Sequence, residues 1–266
     1  MKKIYDLEQP RFMGMPFHPS HKSVGYTYVL HKKHRDKELS GLTRTSASGV
    51  LITTEHSGTH IDAICHQALD HKLFGGVKVD TAVETPFGFS KLGVEAVQPL
   101  VARCVLLDIV RSRGDHLEKF HSITVEELKE CCQNQKIYPT KGDIVLVRTG
   151  FGRFWSDATK YLEAAGVSLE GAKWLSSFGI VATGADNMSF DVDDGNIDPA
   201  MKITLPCHAL LLVEKGIYII ENLNLEELAA DRIWESVMIC SPLKLVGATG
   251  SPVRPIALTG IPVPSF

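Results

Sequence analysis

Residues 56–66 constrain this chain most. They read His-Ser-Gly-Thr-His-Ile-Asp-Ala-Ile-Cys-His, placing three imidazoles and a carboxylate at even spacing. In an extended chain, residues two apart share a face. His56, Gly58, His60, Asp62, Ile64 and His66 would then project together, with Gly58 leaving a gap through which a metal or substrate could approach. A helix would align His56 with His60 but swing Asp62 away, so the extended form is expected. Several imidazoles on one buried face are costly without partners. Neutral imidazole with carboxylate is a donor set that suits Zn²⁺ or Mn²⁺. His56, His60 and Asp62 are the first expected ligands, enough for a catalytic ion that keeps one open position.

The rest of the chain supplies strands and helices in alternation. Gly49–Thr54 is rich in β-branched residues and leads into the histidine segment. Val101–Ile109, Asp143–Arg148 and Ile180–Gly184 are apolar runs of strand length, the last preceded by a helix around Gly171–Phe178. Ala209–Val213 and Gly216–Glu221 are expected as two further strands about a Glu214-Lys215-Gly216 turn. Thr124-Val125-Glu126-Glu127 has the form of a capping box ahead of a helix to about Gln133, and Asn224-Leu225-Glu226-Glu227 offers the same chemistry. Alternation of this kind predicts an α/β layer structure. No repeat or linker breaks it, so residues 1–266 are expected to form one domain.

Composition narrows the partners. A formal charge of −3 gives no electrostatic case for nucleic acid or an anionic membrane. No apolar run is long enough to span a bilayer. The N-terminus turns acidic before any apolar core develops, unlike a secretory signal. The six cysteines form no C-x-x-C pair, which favours reduced, buried thiols and a cytoplasmic setting. Cys65 and Cys207 neighbour His66 and His208; as immediate neighbours in a strand they are expected to face the packed side rather than to act as ligands. The charged stretch His31–Glu38 reads as a solvated loop, with a lid over the site as the alternative. Phe12, Phe17, Tyr26 and Tyr28 fit ordinary core packing or an aryl pocket.

His208 precedes an apolar run and Glu221 ends the next. Spacing alone leaves Glu221 evenly divided between a ligand and a helix-capping or surface-paired carboxylate.

The segment from His56 to His66 resembles H-x-G-T-H-x-D-x-P-x-H, the signature of the metal-dependent cyclase family, which includes kynurenine formamidases and isatin hydrolases. Ile64 replaces the usual proline and removes a fixed φ before His66. Leu205–Leu211, Gly216–Leu223, Gly184–Ser189, Gly247–Pro255 and Tyr5-Asp6-Leu7 extend the resemblance over nearly the full chain. It implies a swivelling β/β/α fold with a mixed, partly closed sheet and flanking helices. It also implies that His208 and Glu221 complete the metal site, with Asp62 bridging where two ions bind. One or two Zn²⁺ or Mn²⁺ ions per subunit and a homodimer or homotetramer follow from the same likeness.

The expected function is hydrolysis of an amide C–N bond in an aryl formamide or cyclic amide, such as N-formylkynurenine or isatin. His66, on the same expected face as Asp62, is the candidate proton shuttle, and Glu221 a second acid/base. The alternative is a lyase or cyclase in which the metal activates a carbonyl for dehydration or ring closure. Arg254 is expected to tie down the C-terminal segment rather than to meet a substrate carboxylate.

Overall fold

The apolar runs fall where a sheet buried on both faces needs them. The computed structural model describes residues 2–21, 25–36, 43–114 and 116–262. Its main sheet has nine strands. In chain order they are β1 (Ile4–Asp6), β2 (His60–Asp62), β3 (Leu100–Asp108), β4 (Ile144–Arg148), β5 (Ala182–Ala185), β6 (Tyr218–Glu221), β7 (Glu235–Cys240), β8 (Gly250–Pro252) and β9 (Ile256–Leu258). The spatial order is β1-β9-β7-β3-β4-β5-β6-β2-β8. The centre, β3 through β6, is parallel. The flanking pairs are antiparallel. This is a mixed α/β fold with a curled sheet, as the resemblance implied.

Successive residues of a strand point to opposite faces, and here both faces are packed. Val105, Leu107, Val145 and Val147 face one core, beneath Leu128, Cys131, Cys132, Ala172 and Leu175 of the helices Val125–Gln135 and Leu169–Ser176. Cys104, Leu106, Ile144 and Leu146 face the other, with Tyr5, Ile61, Ile220 and Met238. This explains why the central strands read as continuous apolar runs rather than alternating ones. Truncating Leu106 or Leu107 to Ala would cost roughly 2–5 kcal/mol.

The Thr124 capping box forms in full. The Thr124 hydroxyl accepts from the Glu127 amide, and the Glu127 carboxylate accepts from the Thr124 amide. The second expected box does not form. Ahead of the helix Glu226–Ala230, Asn224 Oδ1 accepts the Glu226 amide at 3.4 Å, and Glu227 pairs with Lys3 at 2.7 Å instead of reaching back to Asn224.

Two further sequence expectations are corrected, and a third is borne out in a separate sheet. Ala209–Val213 is not a strand but part of a π-helical turn, Ala209–Lys215, which continues the short helix Pro206–His208. A short apolar run buried on all sides looks alike in either form, and Pro206 at the first helical position starts the helix. Gly49–Thr54 does form a strand, Ser48–Thr53, but it pairs with Tyr26–Lys32 in a separate hairpin. That hairpin exposes Tyr28, Val29, Leu30, Val50, Leu51 and Ile52. The charged stretch begins on it: His31 and Lys32 end the first strand and residues 34–36 turn, while Lys37 and Glu38 lie outside the described residues. Finally, the extended conformation of residues 56–66 holds only over β2. Gly58 has φ +55, and Ile64–His66 is a 3₁₀ turn.

Among the described residues no helix is long and apolar enough to cross a membrane.

Candidate metal centre

The site is built where β2 and β6 meet the helix Pro206–His208. Antiparallel pairing sets His60 opposite Glu221 and Asp62 opposite Gly250. The bend at Gly58 brings His56 back over β2, because φ +55 is a left-handed conformation that glycine adopts at no steric cost. The expected gap at Gly58 is filled from outside: a Cβ there would meet the Arg11 guanidinium at 2.8 Å. Arg11 donates to the carbonyls of Ser57 and Thr59 and pairs with Glu8 at 2.8 Å. It therefore clamps the bend. Thr59 is tied to Asn222, donating its hydroxyl to the Asn222 carbonyl at 2.6 Å. Asn222 Nδ2 in turn donates to the Gly58 carbonyl at 3.0 Å.

His56, His60, His66, His208 and Glu221 line one cavity of about 200 Å³. Asp62 lies beneath them, fully buried. His66 reaches the cluster from its 3₁₀ turn rather than from an extended strand; its ring centroid is 4.0 Å from that of His56 and 6.2 Å from that of His208.

Asp62 is the hub. Its Oδ1 is 2.8 Å from His56 Nδ1 and 3.5 Å from His60 Nε2. Its Oδ2 is 3.5 Å from His208 Nε2. Glu221 faces the same nitrogens, Oε1 at 3.1 Å from His208 Nε2 and Oε2 at 3.3 Å from His60 Nε2. These are ion-pair distances, yet His56 Nδ1, both Asp62 oxygens and Glu221 Oε1 are buried without a hydrogen bond. Buried polar atoms left so are rare and call for an explanation. Lone pairs converging on a common cation supply one. His56, His60 and Asp62 could hold a metal ion, as could Asp62, His66 and His208; in each set the ligand atoms lie within 4.8 Å of one another. The residues present therefore fit a divalent metal of the kind that takes nitrogen and oxygen donors.

Hydrogen bonds outside the cluster orient two of the rings, as outer partners of metal-ligating histidines do. His60 Nδ1 donates to the Gly58 carbonyl at 2.8 Å, turning Nε2 inward. His208 Nδ1 donates to Asp191 Oδ2 at 2.8 Å, and Asp191 also accepts the Cys207 and His208 amides.

Electrostatics follow from burial. Desolvation holds His66 well below the usual histidine range, aided by the neighbouring imidazoles and opposed by Asp62. Burial also disfavours charge on His208, but Asp191, Asp62 and Glu221 outweigh it and raise that ring well above the usual range. Burial would raise Asp62; His66, His208, His56 and His60 hold it well below the carboxylate range instead. Cys65 and Cys207 face away, as expected. Their thiols donate to the carbonyls of Ala248 and Val167, and burial pushes Cys65 up to about 12.

A second cavity of about 600 Å³ adjoins the first, and His21, His56 and His66 belong to the walls of both. Leu51, Leu243, Leu245 and Pro252 give it apolar sides. The early aromatics are elsewhere: Phe17 and Tyr26 pack against Met15, Trp155, Tyr161 and Met188, while Phe12 and Tyr28 are exposed. Arg254 pairs with Asp6 at 2.7 Å on the surface, the structural role expected of it. Sequence reasoning missed His21, whose ring stacks on His56 at 4.9 Å, and Asp191. The sequence did carry a signal for each, His18-Pro19-Ser20-His21 and Asp191-Val192-Asp193-Asp194. Asp191 sits two residues past the Gly184–Ser189 segment already singled out.

Fold and site together define an α/β protein with a curled sheet and a buried His/Asp cluster able to hold a metal. The chain belongs to the Cyclase family, described as "Putative cyclase", whose model matches residues 5–192. It is 34% identical to a kynurenine formamidase of Delftia acidovorans over 77% of each chain. It is 26% identical to an isatin hydrolase of Roseibium aggregatum, over 78% of this chain and 73% of that one. The solved structure of a novel cyclase superposes with a TM-score of 0.84 at 27% identity, covering 96% of this chain and 86% of the other.

Proposed function

We propose that the protein is a metal-dependent hydrolase that cleaves the amide C–N bond of an aryl formamide or cyclic amide. The observation that carries this reading is Asp62: a fully buried carboxylate with both oxygens free of hydrogen bonds and three imidazoles around it. His56, His60 and Asp62 would hold one Zn²⁺ or Mn²⁺; Asp62, His208 and Glu221 would hold a second where two bind. When bound, a divalent cation supplies Lewis acidity, which polarises a carbonyl and acidifies water.

The remaining chemistry belongs to the chain. His66 stands at the cluster with its ring 4.0 Å from that of His56, where a ring nitrogen can take a proton from the attacking water and return it to the leaving nitrogen. Glu221 is the candidate second acid/base. The apolar side chains of Leu51, Leu243 and Leu245 on the wall of the second cavity suit an aromatic body. The named relatives, kynurenine formamidase and isatin hydrolase, both support hydrolysis of a C–N bond.

The test is metal content of the purified protein, with activity on N-formylkynurenine and isatin before stripping, after stripping and after add-back. Metal-dependent turnover of either supports the proposal. Absence of bound metal, or metal without turnover of any aryl or cyclic amide, overturns it.

A further inference from the structure

His60 and His208 each have their outer nitrogen held by a single unambiguous acceptor. His56 is different, because its outer partner is a hydroxyl that can give or take a hydrogen. His56 Nε2 lies 2.8 Å from Thr249 Oγ1. Thr249 Oγ1 in turn makes a short contact with Glu55 Oε1, which also accepts the Thr249 amide at 3.1 Å. A carboxylate only accepts, so the one hydroxyl hydrogen of Thr249 is directed to Glu55. Thr249 Oγ1 is then left to accept, and the His56 hydrogen must sit on Nε2. A neutral imidazole carries one such hydrogen, so Nδ1 is bare. At the other end of the ring Nδ1 is 2.8 Å from Asp62 Oδ1 and neither atom makes a hydrogen bond, an approach that two facing lone pairs keep only around a shared cation.

We propose that Thr249 and Glu55 are positioning residues whose hydrogen-bond relay fixes the tautomer of His56 and presents its Nδ1 to the cluster. The relay is built into the sheet. The register that pairs Asp62 with Gly250 sets Thr249 beside the ring, and the Ala63 amide holds the Thr249 carbonyl at 2.9 Å. Gly250 makes room for the approach, since a Cβ there would lie 2.7 Å from His56 Cε1. The tautomer rests on the metal-site reading above, because without a cation between them the Asp62 carboxylate, 2.8 Å from Nδ1, would draw the ring hydrogen to that nitrogen.

The test uses the protein with ¹⁵N-labelled histidine, loaded with Zn²⁺, in long-range ¹H–¹⁵N correlation spectra at neutral pH. Wild type should show His56 protonated on Nε2. Thr249→Val should lose that preference and weaken Zn²⁺ binding, read by competition with a chelator, about 10–100-fold. Thr249→Ser should restore both. Glu55→Ala frees the Thr249 hydroxyl to donate to Nε2, which favours the hydrogen on Nδ1 and should likewise weaken Zn²⁺ binding, and so keeps the test open if Thr249→Val does not fold. Unchanged Nε2 protonation and Zn²⁺ affinity in the folded variants overturn the relay. A wild type that binds no Zn²⁺ overturns the metal reading instead.

Discussion

His60 and Glu221 are register partners across the β2–β6 pair, and His60 Nε2 lies 3.3 Å from Glu221 Oε2. Residues directly opposite in an antiparallel pair put their side chains on the same face. Sheet pairing, rather than a flexible loop, thus delivers a carboxylate to the histidine cluster. It also explains why a Glu ends the apolar run Tyr218-Ile219-Ile220 of β6.

Replacing Glu221 by Gln keeps the shape and removes the charge. Zn²⁺ affinity should fall by more than the roughly 10–100-fold that follows loss of an outer-shell partner. Chelator competition on the folded variant measures it. Unchanged affinity would leave Glu221 as a structural carboxylate only.

His66 touches the cluster through its ring, 4.0 Å from that of His56, and sits on the 3₁₀ turn beyond β2 rather than in the strand itself. His66→Ala should keep the metal held by His56, His60 and Asp62 while turnover drops about 10²–10⁴-fold, the range of general acid–base contributions. Metal content and kcat on the same preparation decide it. A variant with near-normal kcat removes the shuttle role.

The ligand-type residues were legible because chemistry restricts them: three imidazoles and a carboxylate within residues 56–66 have few other uses. The central strands were legible because burial on both faces leaves uninterrupted apolar runs. What failed was conformation that depends on distant partners. Gly58 bends because Arg11 and Asn222 hold the carbonyls around it, and neither is near in sequence. Ala209–Val213 coils because its start is set by Pro206 and its sides by the core around Leu210–Leu212. Asp191 and Thr249 serve rings that are 17 and 193 residues away, a relation no local pattern carries.

Gly166 supports the site from a distance. A Cβ on it would overlap the Asp191 carbonyl oxygen, beside the bridge between Val167 and Asp191. Gly166→Ala must push that backbone away, and Asp191 orients His208. Overpacking of this kind costs typically about 1–3 kcal/mol. Thermal unfolding should show a lower midpoint, and Zn²⁺ affinity should weaken with it. A variant as stable and as tight-binding as wild type would show that the segment yields without disturbing His208.

The capping box gives a prediction in pH. Glu127 Oε2 accepts the Thr124 amide at 2.7 Å, and Oε1 accepts His121 Nε2 at 2.8 Å. Burial alone would raise this carboxyl, but the Thr124 amide and His121 outweigh it and lower it from the ordinary 4.5. A carboxyl depressed in the folded state stabilises fully above its unfolded value, and the contribution is lost as pH falls through the folded value. Glu127→Gln should therefore be less stable than wild type by about 1 kcal/mol at neutral pH, and the gap should narrow as pH drops below 4.5. Urea unfolding of both proteins across that range measures it. A gap that stays constant with pH would mean that the charge on Glu127 contributes nothing and that the hydrogen bonds alone hold the helix start.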